Sequence, residues 1–357
     1  MKTFHCCCGN QLFFPNTQCI ACGREAGLCP VCHRMTGLIA ETPSGLVCGH
    51  EDCQARLVKC RNYEVEHVCN ACIEAEQAEQ ATEEDGHPLC LDCQLTEVIP
   101  DLSIEGNREK WAALEIAKRR VLYTVRFAGL PIGHAGNDFE PKLRFQFLAD
   151  TKEKVFTGHD SGLITINIRE ADDVERERTR VEMHEPQRTL IGHLRHELGH
   201  YFWDLLIAGR KEEEFRTIFG DEREPSYADA QAAYYQNGPA ADWRQHYISA
   251  YSSMHPWEDF AETFNAWLDM ISILDTARDM RRAHLRKRPC EEIVREYQRV
   301  GVFANELNRE MGLKDLVPEV FNDEVRKKLC FVHQLAIDGI TQKKSLSQPA
   351  AEATVTS

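Results

Sequence analysis

Long apolar runs are missing from this 357-residue chain. No stretch approaches the roughly 20 apolar residues that a membrane-spanning helix needs. The first ten residues, Met1 to Asn10, lack the apolar centre of a secretion signal. Both absences point to a cytoplasmic protein with no membrane partner. Excess positive charge is missing too: 42 Lys and Arg stand against 57 Asp and Glu, a formal net charge of −15. That balance repels polyanions, so nucleic acid is not expected as the main partner, local basic faces aside. Beyond residue 93 cysteine is almost absent, with only Cys290 and Cys330. What remains is enough for a sizeable core, 43% hydrophobic over a length that suggests two domains.

The rest of the sixteen cysteines crowd into the first 93 residues. In a reducing compartment such crowding reads as metal ligation rather than disulfides. They form Cys6-x-Cys8, Cys19-x2-Cys22, Cys29-x2-Cys32, Cys48-x4-Cys53, Cys69-x2-Cys72 and Cys90-x2-Cys93. Pairs two residues apart make the knuckles of zinc ribbons, and two knuckles give one tetrahedral four-cysteine site. Sequential pairing predicts a first site from Cys6, Cys8, Cys19 and Cys22. A second uses Cys29, Cys32, Cys48 and Cys53, with His33 or His50 as substitutes. A third uses Cys90 and Cys93 with two of Cys60, Cys69 and Cys72, and Cys7 is left as an ordinary thiol. Even two-plus-two spacing favours zinc over an iron–sulfur cluster. Apolar runs are short here, so metal is expected to supply the folding energy and these closed sites to be structural. Ala75 to Gly86 is acidic and reads as a solvated insertion within the third site.

Further along, apolar coverage from Trp111 to Phe127 predicts a helix over about 107–128. Period-two alternation at Leu143–Leu148 and Leu163–Ile168, with a turn at Gly158–Gly162, predicts a small antiparallel sheet. The strand from Gly162 to Ile168 is a candidate edge for pairing with extended substrate, against the equal alternative of a plain core strand. Glu170 to Val181 reads as an exposed charged segment, and Glu185-Pro186 as the start of the next helix.

That helix carries the sharpest signal, His196-Glu197-Leu198-Gly199-His200, an HExxH motif. Residues four apart share a helix face, so His196 and His200 can address one metal. Glu197 lies about 100° further round, where its carboxylate reaches a metal-bound water. Leu190, Ile191, Leu194, Leu198, Tyr201, Phe202 and Leu205 flank the motif and predict burial, which makes a chance match a poor account. A catalytic zinc needs a third protein ligand. Glu258 is assigned from His255-Pro-Trp-Glu-Asp-Phe-Ala-Glu262, with Asp259 and Glu262 as alternatives. Glu262, one turn on, would accept a hydrogen bond from a ligand histidine and orient it. His193, one turn before His196, would pack or reach the site's edge. His255, Tyr247 and Tyr251 are candidates for stabilising an oxyanion, and nothing in the sequence chooses among them.

Residues 8–19, 95–103, 117–123, 157–168, 188–204 and 255–264 together resemble a bacterial family of zinc-binding metallopeptidases with an N-terminal zinc-ribbon domain. The resemblance covers nearly the whole chain except its tail. It implies a gluzincin-like peptidase domain with zinc on His196, His200 and an acidic residue of 258–262. It also implies that Cys60 and Cys69 join Cys90 and Cys93, where spacing alone favours Cys72. The 29–53 insertion is longer than in shorter family members, and the natural substrate is not implied.

The resulting expectation is an α+β protein: a zinc-ribbon domain at 1–98, a zincin-like metallopeptidase domain at 104–340, and a disordered tail at 341–357. It would carry one catalytic and two to three structural zinc ions and act on a peptide or protein. The zinc would lower the pKa of its water towards ~7, and Glu197 would pass that water's proton to the leaving amine. The ribbons would serve structure or recruit a protein. The rival is a non-catalytic adaptor whose ribbons bind a protein or nucleic acid and whose HExxH site is structural. Hydrolysis of a non-peptide amide is a third reading.

Overall fold

In a computed structural model of the chain the described residues are 4–42, 45–80, 88–151, 154–172, 189–279, 288–310, 317 and 321–346. The acidic insertion's second half, the segment 173–181, the Glu185-Pro186 helix start and residues 347–357 of the expected tail lie outside them, whereas 341–346, expected as disordered tail, are helical. The chain divides into two compact units. One comprises Met1–Leu122, Leu143–Glu197 and Asp275–Arg282, the other Tyr123–Lys142, Leu198–Leu274 and Ala283–Ser357.

The first unit begins with very short strands. β1 (Phe4–His5) pairs with β2 (Gln11–Leu12). β3 (Ala26–Leu28), β4 (Met35–Thr42), β5 (Gly45–Cys48), β6 (Arg56–Lys59) and β7 (Cys72–Glu74) form an antiparallel sheet in sequence order. Single turns α1 (Arg61–Glu64) and α3 (Leu91–Gln94), and α2 (Ala75–Gln80), complete this region. Such strands carry few apolar side chains. The cluster beneath them consists largely of cysteines, with Leu38, Leu57, Tyr63, Ala71 and Ile73 between.

β8 (Thr96–Val98), α4 (Asn107–Ala128), β9 (Arg144–Leu148), β10 (Gly158–Asp160) and β11 (Leu163–Asn167) follow. The sheet runs β10-β11-β9-β8. Only β10 and β11 are antiparallel, joined through Ser161 and Gly162, both at positive φ. β11 pairs with β9 in parallel, Leu163 against Arg144, and β8 also pairs with β9 in parallel. The expected antiparallel sheet is therefore mixed. Its cause is the connection 149–162, long enough to return the chain and start the next strand in the same direction. A second correction follows: β11 is an inner strand, so Gly162–Ile168 is not the sheet edge. Phe145, Phe147, Ile164 and Ile166 alternate inward and are buried.

Helix α4 lies where the periodicity predicts it and buries Trp111, Leu114, Ala117, Val121 and Leu122. It also buries three charged residues that hydropathy does not foresee: Glu115, Lys118 and Arg119. Lys118 Nζ is 2.8 Å from Glu115, and Glu115 accepts from Thr96 Oγ1 at 2.8 Å and Trp111 Nε1 at 3.3 Å. Arg119 donates to Asn70 Oδ1, and Asn70 Nδ2 donates to the Phe14 and Asn16 carbonyls at 2.7 and 2.9 Å. Each buried charged group thus has a polar partner, as burial requires.

The remaining helices are α5 (Leu190–Leu206), α6 (Glu212–Phe219), α7 (Tyr227–Asn237), α8 (Trp243–His246), α9 (Pro256–Asp279), α10 (Cys290–Glu310) and α11 (Asp323–Leu346). Cys290 and Cys330 form a disulfide between α10 and α11, a link across 40 residues that spacing does not reveal. Within the second unit α5 meets α9 at Gly199. A Cβ built there would lie 2.7 Å from Ala261 Cα and 3.1 Å from its carbonyl oxygen. Only glycine lets the two backbones come so close. Phe202 stacks on Phe264 at 5.0 Å one turn further along.

Gly199→Ala gains helix propensity, worth up to ~1 kcal/mol, but forces the helices apart. The net outcome expected is a loss of about 1–2 kcal/mol, read as a lower thermal midpoint.

Candidate metal centres

Three sets of four cysteines converge: Cys6, Cys8, Cys19 and Cys22; Cys29, Cys32, Cys48 and Cys53; Cys60, Cys69, Cys90 and Cys93. Cys6 and Cys22 Sγ lie 3.7 Å apart, Cys8 and Cys19 3.7 Å, Cys29 and Cys53 3.8 Å, Cys32 and Cys48 3.7 Å, and Cys69 and Cys90 3.9 Å. Four sulfurs about 2.3 Å from a central zinc are about 3.8 Å apart in a tetrahedron. The donor sets therefore fit zinc without rearrangement.

Local turns build these sets. Gly9 N–H returns to the Cys6 carbonyl and Gly23 N–H to that of Cys19, each at 2.8 Å, and both glycines have positive φ. His33 occupies the equivalent place after Cys32, also at positive φ, with its N–H on the Cys29 carbonyl. It is exposed and stands outside the ligand set. His50 is likewise outside it, bonded to Arg34. Cys7 is exposed and accepts from Arg24 Nη1 at 3.5 Å. Cys72 is buried but not among the third set. It sits under β3 instead, where a Cβ on Gly27 would meet its sulfur.

The third set is the most buried, and a cation serves it. Burial works against the charge of Arg119, but the Cys69 and Cys90 sulfurs and Asp92 hold its guanidinium protonated. Arg119 in turn pulls the Cys69 thiol down, after the larger effect of Cys60, Cys90 and Cys93.

The fourth group is His196, His200 and Glu258, whose ligand atoms all lie within 4.8 Å of one another. Thr189 starts α5 by accepting the Gly192 N–H at 2.9 Å. Four-residue spacing on this one continuous helix then sets the two imidazoles on a common face. Glu258 is in the first turn of α9, where Pro256 occupies a position needing no N–H donor. His255 caps that turn: its Nδ1 accepts the Trp257 N–H and its Nε2 faces the Glu222 carbonyl, both at 3.1 Å. Burial holds this ring below the usual imidazole range, which suits a neutral cap. His200 Nε2 is 3.5 Å from Glu258 Oε1, and the His200 ring lies against Trp257 at 3.8 Å.

Of the expected alternatives, Asp259 is buried and bonded to Lys328 Nζ at 2.6 Å. Lys328 also donates to the His246 carbonyl at 2.9 Å and lies over the Tyr247 ring. Glu262 is half-buried one turn after Glu258, where its charge opposes ionisation of Asp259. Tyr227, absent from the sequence reading, donates to Glu258 Oε1 at 2.8 Å. It comes from α7, 31 residues away, and no local pattern marks it. Tyr251 lies close by; burial, then Glu258 and Tyr227, push its hydroxyl up. His193 is bracketed by Glu170 and Glu197.

Comparison with known proteins agrees with this chemistry. The model of the family described as "Putative zinc-binding metallo-peptidase" matches residues 107–335, and a zinc-ribbon domain model matches residues 3–104. Three curated relatives, one from Mycobacterium bovis and two from strains of Mycobacterium tuberculosis, are 34% identical over 345 residues. The alignment covers 93% of this chain and 94% of each relative, and all three are named uncharacterized proteins. No solved structure matches this chain. No helix among the described residues is long and apolar enough to cross a membrane. The zinc families and the cysteine sets together point to zinc.

Cys69→Ser is expected to lose one zinc per chain by elemental analysis and to melt early, whereas Cys72→Ser keeps the wild-type zinc content. Lys328→Met leaves Asp259 buried without its cation, and the expected cost is about 3–5 kcal/mol of stability, measured by denaturant unfolding.

Proposed function

The chain belongs to the zinc-binding metallopeptidase family whose model it matches, and from that membership we propose that it hydrolyses peptide bonds at the His196, His200 and Glu258 group. The observation that carries this reading is the convergence of two imidazoles and one carboxylate, with the buried Glu197 carboxylate next to His196 in the same helix. Two neutral nitrogens and one oxygen are a gluzincin-like donor set and leave a coordination position open. When bound, zinc supplies a Lewis acid for the scissile carbonyl and lowers the pKa of a water it holds.

The chain's own residues have separable tasks. Glu197 is the general base: it takes the proton of the attacking water and delivers it to the leaving amine. Trp257 packs on the His200 ring and limits its rotation. Tyr227 donates to the Glu258 carboxylate and holds that side chain's rotamer. Glu262 is assigned to a ligand imidazole, whose basicity a carboxylate partner raises. The three four-cysteine sets are structural zincs, for a total of four per chain. The ribbon region before residue 99 is a scaffold that also offers a surface for a protein partner. A peptide or protein is the substrate class.

The test compares wild type with Glu197→Gln on a mixture of internally quenched peptides. Wild type is expected to cleave, and Glu197→Gln to lose about 10²–10⁴-fold in turnover with its zinc content unchanged. A Glu197→Gln protein as active as wild type, or a zinc-loaded wild type that cleaves no peptide, would overturn the proposal in favour of the adaptor reading.

A further inference from the structure

His193 stands one turn before Glu197 on α5, and its two ring nitrogens face two different carboxylates. Nε2 is 3.3 Å from Glu197 Oε1, and Nδ1 is 3.5 Å from Glu170 Oε2. The three side chains are only 14%, 6% and 12% exposed. A histidine that merely satisfies itself in a core needs one acceptor, and the chain shows how that looks. His333 uses the Arg288 carbonyl and His255 the Glu222 carbonyl. Placing two carboxylates around one buried imidazole is a costlier arrangement. Either carboxylate alone in such a setting would meet a large desolvation penalty, so a bridging ring between them has a purpose.

Glu170 is not free to follow His193. It lies in the 3-10 turn Ile168–Ala171 that continues β11. Asn167 caps this turn, accepting the Arg169 N–H at 3.0 Å, and its Nδ2 is tied to Asp150 and the Val155 carbonyl at 2.8 and 2.9 Å. Strand β11 is an inner strand of its sheet. Glu170 therefore sits on a capped turn at the end of an inner strand, and the charge contacts run from Glu170 to His193 to Glu197.

We infer that His193 is the positioning residue of the catalytic base, anchored to the sheet through Glu170 and fixing the Glu197 rotamer before substrate arrives. The inference rests on the reading of Glu197 as that base. A glutamate side chain left mobile loses rotamer freedom on being ordered; one held in advance avoids that cost at the moment of reaction. The electrostatics agree with the geometry. Burial pulls the His193 ring down, but Glu170 and Glu197 outweigh it and push it up to about 9.

The test uses the zinc-loaded full chain on the quenched peptide mixture, with zinc per chain measured for every variant. His193→Ala is expected to lower kcat about 10- to 100-fold, leave KM within a factor of about three, and leave zinc content unchanged. Glu170→Gln, which keeps a polar side chain beside Nδ1, is expected to retain more activity than Glu170→Ala. Because His193 acts through Glu197, His193→Ala should cost nothing further in a Glu197→Gln background. Should His193→Ala not fold, His193→Gln takes its place in the same cycle. Independently of turnover, the His193 ring signals in ¹⁵N-histidine-labelled protein should shift in both Glu170→Gln and Glu197→Gln. An active wild type in which His193→Ala costs the same with and without Glu197, or ring signals that stay put, overturns the positioning role alone. A zinc-loaded wild type that cleaves nothing overturns the reading of Glu197 and the positioning role with it.

Discussion

The contact between Gly199 and Ala261 is the constraint from which the candidate site follows. His200 is the next residue along α5, and Ala261 is one turn beyond Glu258 on α9. With a Cβ at Gly199 only 2.7 Å from a backbone atom, no other residue allows this helix separation. Helices normally pack 8–10 Å apart, and small residues at the crossing bring them to the near end of that range. The carboxylate of Glu258 then reaches His200 at 3.5 Å. The glycine inside the HExxH motif thus has a packing reason, separate from the chemistry of its neighbours.

The start of α9 is held from several directions, which matters because a candidate ligand on a first turn is only as well placed as the turn. His255 closes the backbone, Lys328 neutralises Asp259 from α11, and Tyr227 bonds Glu258 from α7. Asp259 and Glu258 are adjacent acids on one buried turn. The structure separates their fates by giving one a lysine and the other two histidines and a tyrosine. Burial pushes the Asp259 carboxyl up to about 7, and the Lys328 ammonium pulls against that rise. The ion pair reads as a device for orienting the turn more than for stability, since buried pairs gain little net free energy.

Features that depend on local spacing were legible in the sequence. The helix over 107–128, the four-residue step from His196 to His200, Pro256 in a first turn, and the cysteine knuckles are all periodic or nearest-neighbour patterns. What could not be read depends on partners distant along the chain. The parallel pairing of β9 with β11 hides behind alternation that any strand direction would produce. The choice of Cys69 over Cys72 is invisible to spacing, because both stand in the same pair, and came only from the family resemblance. Tyr227, Lys328 and Glu170 approach from α7, α11 and a turn after β11, and none carries a local mark. Buried charges on α4 were missed for a related reason: hydropathy reads Glu115, Lys118 and Arg119 as solvent-facing until their partners are known.

Those α4 charges bear on what the ribbons are for. A zinc bound by four thiolates carries net negative charge into a buried setting, which demands a compensating cation nearby. Arg119 meets that demand for the third cysteine set from a helix matched by the peptidase family, not by the ribbon family. Asn70, the residue after Cys69, carries the link onward to the Phe14 and Asn16 carbonyls. Thr96, just after Cys93, binds Glu115 of the same helix. Deleting the ribbons would leave Arg119 without these partners in a buried site, and deleting α4 would leave the third set's charge uncompensated. A ribbon attached only as a recruitment module would need neither contact. In this chain the cysteine-rich region and the Asn107–Leu122 part of α4 belong to one compact unit.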